Sequence, residues 1–168
     1  DSSFQGLVVN AENGITLSSN LTTNGTTNLI SDSDGDGAGN FSISSGKTLT
    51  TNNNALTITS NSMSFNSTGR ITSGTATTTL KVSDSGTIGL GNTAGNFSLT
   101  NSDLALITSG SLIIGGATNG TITVDGVTST STPLTLVANS GASAVNFSST
   151  ASSFNNLTLD AGTGGVSF

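Results

Sequence analysis

The sequence of 168 residues lacks cysteine, histidine, tryptophan and tyrosine, and it has only one proline and three basic residues. Without cysteine, disulfides and thiolate metal sites are excluded. Three basic side chains against nine carboxylates give a formal net charge of −6, which argues against a nucleic-acid partner, because phosphate binding depends on Lys and Arg. No run of 18 apolar residues occurs, so the sequence predicts no transmembrane segment.

The same absences leave little with which to build an active site. General acid–base catalysis usually employs histidine or a paired, buried carboxylate. Glu12 is the only glutamate, Arg70 is the only arginine, and no tryptophan or tyrosine offers a platform on which a sugar could stack. The segment GLGNTAG (89–95) is close to a dinucleotide fingerprint, but it lacks the strand–helix–strand context that the fingerprint requires. We therefore predict that the chain is not an enzyme and carries no resident cofactor.

What the chain has in excess is serine and threonine, which make up 59 of its 168 residues. Such a polar chain could be disordered, but Pro, Lys and Glu, which disordered segments favour, are scarce here. Leu, Ile, Val and Phe alternate with Thr and Ser in short runs, which is the pattern of a half-buried strand. Strong helix formers hardly occur, and no stretch shows helical periodicity. The sequence therefore predicts an all-β protein without helices.

The alternating runs predict which apolar side chains form the core. The predicted core residues are Leu7, Val9, Ile15, Leu17, Leu21, Phe41, Ile43, Leu56, Ile58, Met63, Phe65, Leu80, Val82, Ile88, Leu90, Phe97, Leu99, Leu112, Ile114, Ile122, Val124, Val127, Leu134, Leu136, Val145, Phe147, Leu157 and Leu159. Gly, Asn, Ser and Asp, the usual turn residues, fill the gaps between the runs. Regular short strands of this kind fit a sandwich, a barrel or a solenoid.

An internal repeat favours the solenoid. The segment SSFQGLVVNAENG (2–14) recurs as SSFNNLTLDAGTG (152–164), with a shared phenylalanine and a conserved apolar alternation. We therefore interpret 1–168 as a single β-solenoid segment, in which 1–151 is one full repeat of about 150 residues and 152–168 begins the next repeat. At about 20–25 residues per coil, the chain would form six to seven coils, stacked about 4.8 Å apart in a rod of roughly 30 Å per repeat. Both ends of such a rod are open sheet edges.

Three longer segments carry a resemblance to a known family. They are SDSDGDGAGNFSISSGKTLTTNNNALTITS (31–60), SDSGTIGLGNTAGNFSLTNSDLALITSGSLIIGGATNGTITVDGV (83–127) and FSSTASSFNNLTLDAG (147–162). The chain resembles the β-strand repeats of very large exported bacterial surface proteins and is similar to filamentous-haemagglutinin-type adhesins. This resemblance implies a right-handed parallel β-helix, export to the cell surface, and an extracellular adhesive or structural role. It implies no catalytic residues.

One charge cluster is a candidate metal site. In SDSDGDG (31–37), Asp32, Asp34 and Asp36 alternate with small residues, as in the first half of an EF-hand calcium loop. The bidentate glutamate that closes such a loop would stand at position 43, where the sequence has Ile43. Two interpretations remain open: a solvated turn at a corner of the solenoid, and a weak calcium site.

Two functions and a mode of assembly are consistent with these patterns. The leading hypothesis is a rigid structural spacer in a large secreted bacterial fibre or adhesin stalk, stacked against neighbouring repeats. The alternative is a surface-binding module whose Thr and Asn rows recognise ice or a polysaccharide, although the Thr-x-Thr pairs do not recur at one coil period. Separate chains could also stack end to end into a filament.

Overall fold

The computed structural model describes residues 1–128 and 132–168. These residues form an all-β structure in which every strand pair is parallel, so the predicted fold class is confirmed at that level. The prediction that the chain has no helix is wrong, because Asn101–Leu104 form one short helical turn, α1. Thr100 caps this turn because its hydroxyl accepts a hydrogen bond from the Asp103 backbone while the Asp103 carboxylate accepts one from Thr100. No helix among the described residues is long and apolar enough to span a membrane.

Twenty short strands account for the rest of the regular structure of residues 1–128 and 132–168. They are β1 (Ser2–Phe4), β2 (Leu7–Asn10), β3 (Ile15–Leu17), β4 (Leu21–Thr23), β5 (Thr27–Ile30), β6 (Asn40–Ile43), β7 (Thr48–Thr50), β8 (Leu56–Ser60), β9 (Ser62–Ser64), β10 (Arg70–Thr72), β11 (Thr77–Val82), β12 (Ile88–Gly91), β13 (Phe97–Leu99), β14 (Ile107–Thr108), β15 (Ser111–Gly116), β16 (Ile122–Asp125), β17 (Leu134–Ala138), β18 (Ala144–Phe147), β19 (Leu157–Ala161) and β20 (Gly165–Ser167).

The strands belong to four sheets, which the chain visits in rotation. The first sheet has the order β1-β4-β7-β10-β14, and the central sheet has the order β2-β5-β8-β11-β15-β17-β19. The third sheet is β3-β6-β9, and the fourth sheet is β13-β12-β16-β18-β20, with β13 in contact with β9. Each passage through the central sheet, with any first-sheet strand before it and the third- or fourth-sheet strand after it, is called a circuit below. Among the described residues, the sixth and seventh circuits have no strand in the first sheet. This cyclic order is consistent with a β-solenoid.

The central sheet shows how the core is built. Its inward positions form two ladders, each with one residue from every circuit. One ladder consists of Leu7, Thr27, Leu56, Thr78, Leu112, Leu134 and Leu157, and the other of Val9, Leu29, Ile58, Leu80, Ile114, Leu136 and Leu159. Away from the two ends these side chains are buried, because each has a neighbour on both sides.

The circuits are not uniform in length. Successive steps along the first ladder are 20, 29, 22, 34, 22 and 23 residues, so the expected 20–25 residues per coil fails for two of them. The 29-residue step contains the loop 31–39, which holds the acidic cluster. The 34-residue step contains α1 and an additional strand, because both β12 and β13 lie in the fourth sheet.

The additional strand explains the glycines of the segment 89–95. β12 and β13 pair in parallel although Ile88 and Phe97 are only nine residues apart, so the chain must double back within a very small space. A Cβ atom on Gly89 would lie 2.6 Å from the Thr93 carbonyl oxygen, and one on Gly95 would lie 2.6 Å from the Gly89 nitrogen. These glycines therefore allow a tight turn between parallel strands, which is a packing role.

The first sheet encloses hydroxyl groups as well as apolar side chains. Each of its later strands contributes a single inward apolar residue, and the next inward position carries a hydroxyl. These hydroxyls belong to Thr23, Thr51, Ser73 and Ser109. The Thr23 hydroxyl lies 2.6 Å from that of Thr27, and the Ser73 hydroxyl lies 2.8 Å from that of Thr78. In these two circuits the buried polar groups are thus paired across the corner between two sheets.

Candidate functional site

The loop 31–39, which carries the predicted metal site, lies at the corner between the central and third sheets. It follows β5 and folds over the next circuit, where Asn61 alone joins β8 to β9. The Asn61 nitrogen donates a hydrogen bond of 3.0 Å to the Gly39 carbonyl, and the Ser31 hydroxyl donates one of 3.3 Å to the same oxygen. A methyl group on Gly39 would collide with the Ser31 carbonyl and with Asp32. The acidic loop is therefore held closely against its own stem.

Asp32 is the buried member of the cluster, with 3% of its surface exposed. Its Oδ2 accepts hydrogen bonds from the Ser83 hydroxyl, two circuits further along the chain, and from the Gly37 nitrogen at 3.2 Å. Its Oδ1 is buried without a hydrogen-bond partner. Asp32 therefore joins two circuits that are not adjacent, and one of its carboxylate oxygens has no hydrogen-bond partner.

Asp34 and Asp36, in the same loop, are exposed to solvent. The structure brings all three predicted ligands together, with one carboxylate oxygen from each lying within 4.8 Å of the others. That spacing fits a calcium ion, which takes oxygen ligands at about 2.3–2.6 Å. Asp36 also accepts a hydrogen bond of 2.9 Å from the Ala38 nitrogen, as turn aspartates commonly do. Position 43, where an EF-hand would supply its closing ligand, is Ile43 in the core.

The residues considered for catalysis do not form a site of their own. Glu12 lies in the exposed turn between β2 and β3, and Arg70 is exposed at the start of β10. Among the residues that the structure describes, Asp32, Asp34 and Asp36 are the only group of three side chains with metal-ligand spacing. The prediction that the chain is not an enzyme stays a prediction.

The outward face of the central sheet carries the threonine row that the surface-binding hypothesis needs. One outward row runs through Val8, Asn28, Thr57, Thr79, Ile113, Thr135 and Thr158. The row beside it includes Thr59, but Lys81 and Gly115 take the corresponding positions in the next two circuits. Outward Thr-x-Thr pairs therefore occur in only two circuits of this face, Thr57 with Thr59 and Thr77 with Thr79, and the two pairs do not share a register.

A polar depression lies on the outward face of the third sheet. Its volume is about 500 Å³, and its lining includes Asn13, Thr16, Asn40, Ser62 and Asn66. The Ser62 hydroxyl donates a hydrogen bond of 2.7 Å to the Asn40 side chain, so part of this lining is already bonded within the protein. The depression offers amides and hydroxyls to a polar ligand.

Both ends of the sheets expose apolar side chains. At the end formed by β1, β2 and β3, a cavity of about 330 Å³ is lined by Phe4, Leu7, Val9, Ile15 and other residues. At the opposite end, Phe168 is 91% exposed and stacks on Phe147 with ring centroids 4.9 Å apart. Neither the end cavity nor the partnership of Ser83 with Asp32 was predicted. The partnership depends on a contact between residues 51 positions apart in sequence.

Comparison of the chain with protein-family models, with curated proteins and with solved structures finds no match. The resemblance to filamentous-haemagglutinin-type repeats therefore stays a prediction that rests on the sequence motifs alone. The case for a function rests on the fold and its surfaces.

Proposed function

We propose that this chain is a structural repeat segment of a large secreted bacterial fibre or adhesin stalk, and that it acts there as a rigid extracellular spacer. In this proposal the chain forms a closed, right-handed β-helix of seven circuits. The right hand is supported by the strong preference of parallel strand connections for that hand. Seven strands spaced about 4.8 Å apart give a rod about 34 Å long.

The observation that carries the proposal is the continuous parallel register of the central sheet. All seven strands pair in chain order, and the buried side chains stack along one axis. A body held together in this way transmits force along its axis through every circuit, and it can be lengthened by adding more circuits. The low content of charged and aromatic residues suits a passive rod.

The sequence repeat fits the same proposal. Leu157 occupies the register position of Leu7, six circuits further along the ladder and 150 positions further in sequence. Leu159 likewise follows Val9 along the second ladder. A shifted register would have separated the sequence period from the circuit period. Because the two coincide, one repeat corresponds to six whole circuits.

Antibodies raised against the purified chain test the proposed setting. We expect them to label intact cells of the source organism and to recognise a polypeptide much larger than the 16.4 kDa of this segment. Labelling only after permeabilisation, with a single band at the mass of the segment, would contradict the proposal. The control is staining with serum from which antibodies against the purified chain have been removed.

The alternative function is recognition of ice or a polysaccharide, and the outward row with Thr57, Thr79, Thr135 and Thr158 favours it. Replacing Thr79 and Thr135 with lysine would interrupt that row, whereas the same change at Thr16 and Ser42 on another face would not. Loss of thermal hysteresis or of polysaccharide co-sedimentation in the first variant alone would support the alternative. Absence of both activities in the unmodified chain would eliminate it.

A further inference from the structure

The two ends of the molecule each present unpaired strand edges. β1, β2 and β3 lie at one edge of their sheets, and β19 and β20 lie at the opposite edge of theirs. All strands are parallel, so a second copy moved along the axis would present β2 to β19 and β3 to β20 of its neighbour in the correct direction. β1 would meet no strand there, because the first sheet of the described residues ends at β14. Unpaired edges of this kind readily accept another strand.

The side chains at both ends are apolar and incompletely covered. Phe4 is 44% exposed and lines the end cavity together with Leu7 and Val9. At the other end, Val166 is 42% exposed, and Leu159 is only partly buried against the core. Stacking the two ends would cover both surfaces at once, which is favourable in water.

The ends also match position by position. In a direct stack, Leu157 would lie on Leu7 and Leu159 on Val9, so both inward ladders of the central sheet would continue without a break. Gly14 and Gly165 have positive φ angles of 105° and 73°, and each directly precedes an apolar residue, Ile15 in β3 and Val166 in β20. With these glycines aligned, Val166 would meet Ile15, which lines the cavity, at an offset of 151 positions, one more than in the central sheet.

The charges at the ends do not oppose this stacking. With the central-sheet offset of 150 positions, Asp160 on β19 faces Asn10 on β2. Glu12 faces Gly162, and Asp1 faces Ala151. A carboxylate at either end therefore meets a neutral residue at the other end, so a chain with a net charge of −6 places no like charges directly opposite each other in the joint.

We infer that separate copies of this chain associate head to tail, with residues 152–168 of one copy seated on residues 2–17 of the next. This inference rests on the proposed function, since it extends the rod beyond a single segment. The joint is heterologous, because different surfaces meet, and repeating it by translation gives an open filament.

Two variants that each block one end test the inference. Val9→Asp places a carboxylate in the ladder at the first end, and Leu159→Asp does so at the other end. The matched controls are Val8→Asp and Thr158→Asp, which add the same charge to the outward face of the same strands. Masses are measured by sedimentation over a wide range of protein concentration, and circular dichroism checks that every variant keeps its β structure.

Head-to-tail stacking predicts a particular pattern of masses. The unmodified chain and both controls form species larger than 16.4 kDa as the concentration rises, whereas each blocked variant alone stays at that mass. An equimolar mixture of the two blocked variants forms species of twice that mass and nothing larger, because only one functional joint remains. Dimers of either blocked variant alone would overturn the inference, since they show that like ends meet.

The head-to-tail stacking and the rod-like shape of a single segment can be disproved separately. Small-angle scattering of the unmodified chain at low concentration reports whether one segment is an elongated rod. An elongated chain that remains monomeric at every concentration overturns the stacking and leaves the spacer function standing. A compact, non-elongated chain overturns the proposed function itself. If a ladder variant loses its β structure, the more exposed end residues offer a second pair, Phe4→Asp and Val166→Asp.

Discussion

The same ladder of the central sheet contains leucines in two very different situations. Leu80 lies in a middle circuit and is completely buried, whereas Leu159, in the last circuit, is only partly covered. Both face inward from a parallel strand of the same sheet. The difference arises because Leu80 has ladder neighbours on both sides, Ile58 and Ile114, and Leu159 has only Leu136. Burial in this fold is therefore supplied by neighbouring circuits along the axis.

Truncating these two leucines gives the largest expected difference in stability. Leu80→Ala should lower the free energy of unfolding by about 2–5 kcal/mol, because it leaves a cavity in a closed core. Leu159→Ala should cost less than about 1 kcal/mol, because that side chain is already partly open to water. Calorimetry or circular dichroism measures both changes. Equal losses at the two positions would contradict the account of burial by adjacent circuits.

A pair of glycines tests how closely the loop 31–39 packs against its own stem in the middle of the stack. Gly39→Ala should destabilise the protein by about 1–3 kcal/mol, because its methyl group would meet the backbone of Ser31. Gly116→Ala serves as the control, since its nearest neighbours are side-chain carbons of Lys81 at 3.6 Å or more. Thermal unfolding of the two variants side by side is the measurement, and similar stabilities would show that the loop 31–39 does not pack as described.

Two serines in one hydroxyl ladder sharpen the comparison within the middle circuits. Ser73→Ala should cost about 1–2 kcal/mol, because the buried Thr78 hydroxyl loses its partner. Ser109→Ala should be neutral or stabilising by up to about 1 kcal/mol, since the Ser109 hydroxyl is buried without a hydrogen bond. The Ser109 hydroxyl lacks a partner because Leu112, which has no hydroxyl, occupies the register position of Thr78 in the next circuit. Chemical denaturation compares the two variants, and a loss on Ser109→Ala as large as that on Ser73→Ala would refute this assignment.

Calcium binding to the loop 31–39 has the smallest expected effect on stability. If the three aspartates bind the ion with millimolar affinity, about 5 mM calcium should stabilise the chain by about 1 kcal/mol or less. Asp34→Asn should abolish that stabilisation, and Asp160→Asn, a change on a distant strand, should preserve it. Thermal unfolding with calcium, and with magnesium as the control ion, makes the measurement. An unchanged response in Asp34→Asn would show that calcium acts elsewhere.

The sequence allowed the central sheet to be predicted well except for β5, whose buried Leu29 was not predicted as core, and the first sheet poorly. Strands such as Leu56–Ser60 carry two inward apolar residues, so their alternation is visible. Strands β7, β10 and β14 each carry one, and the buried residues Leu49, Ile71 and Ile107 were not predicted as core. Their other inward neighbours are serines and threonines, which in the sequence look the same as exposed residues.

The candidate site was predictable in composition but not in its surroundings. The spacing of Asp32, Asp34 and Asp36 placed them in one loop, and the structure brings their carboxylates together. The burial of Asp32 and its bond to Ser83 depend on a contact across an intervening circuit. The uneven circuit lengths were missed for the same reason, since a loop inserted at a corner leaves the register of the strands unchanged.

Distances between spin labels along one outward row test the central claim most directly. The chain has no native cysteine, so Val8→Cys can be combined in turn with Thr79→Cys and Thr158→Cys without interference. These positions lie in the same outward row, three and six circuits from Val8. We expect separations of about 14 Å and about 29 Å, because each circuit adds about 4.8 Å. A Val8–Thr158 distance equal to or shorter than the Val8–Thr79 distance would contradict a single parallel stack.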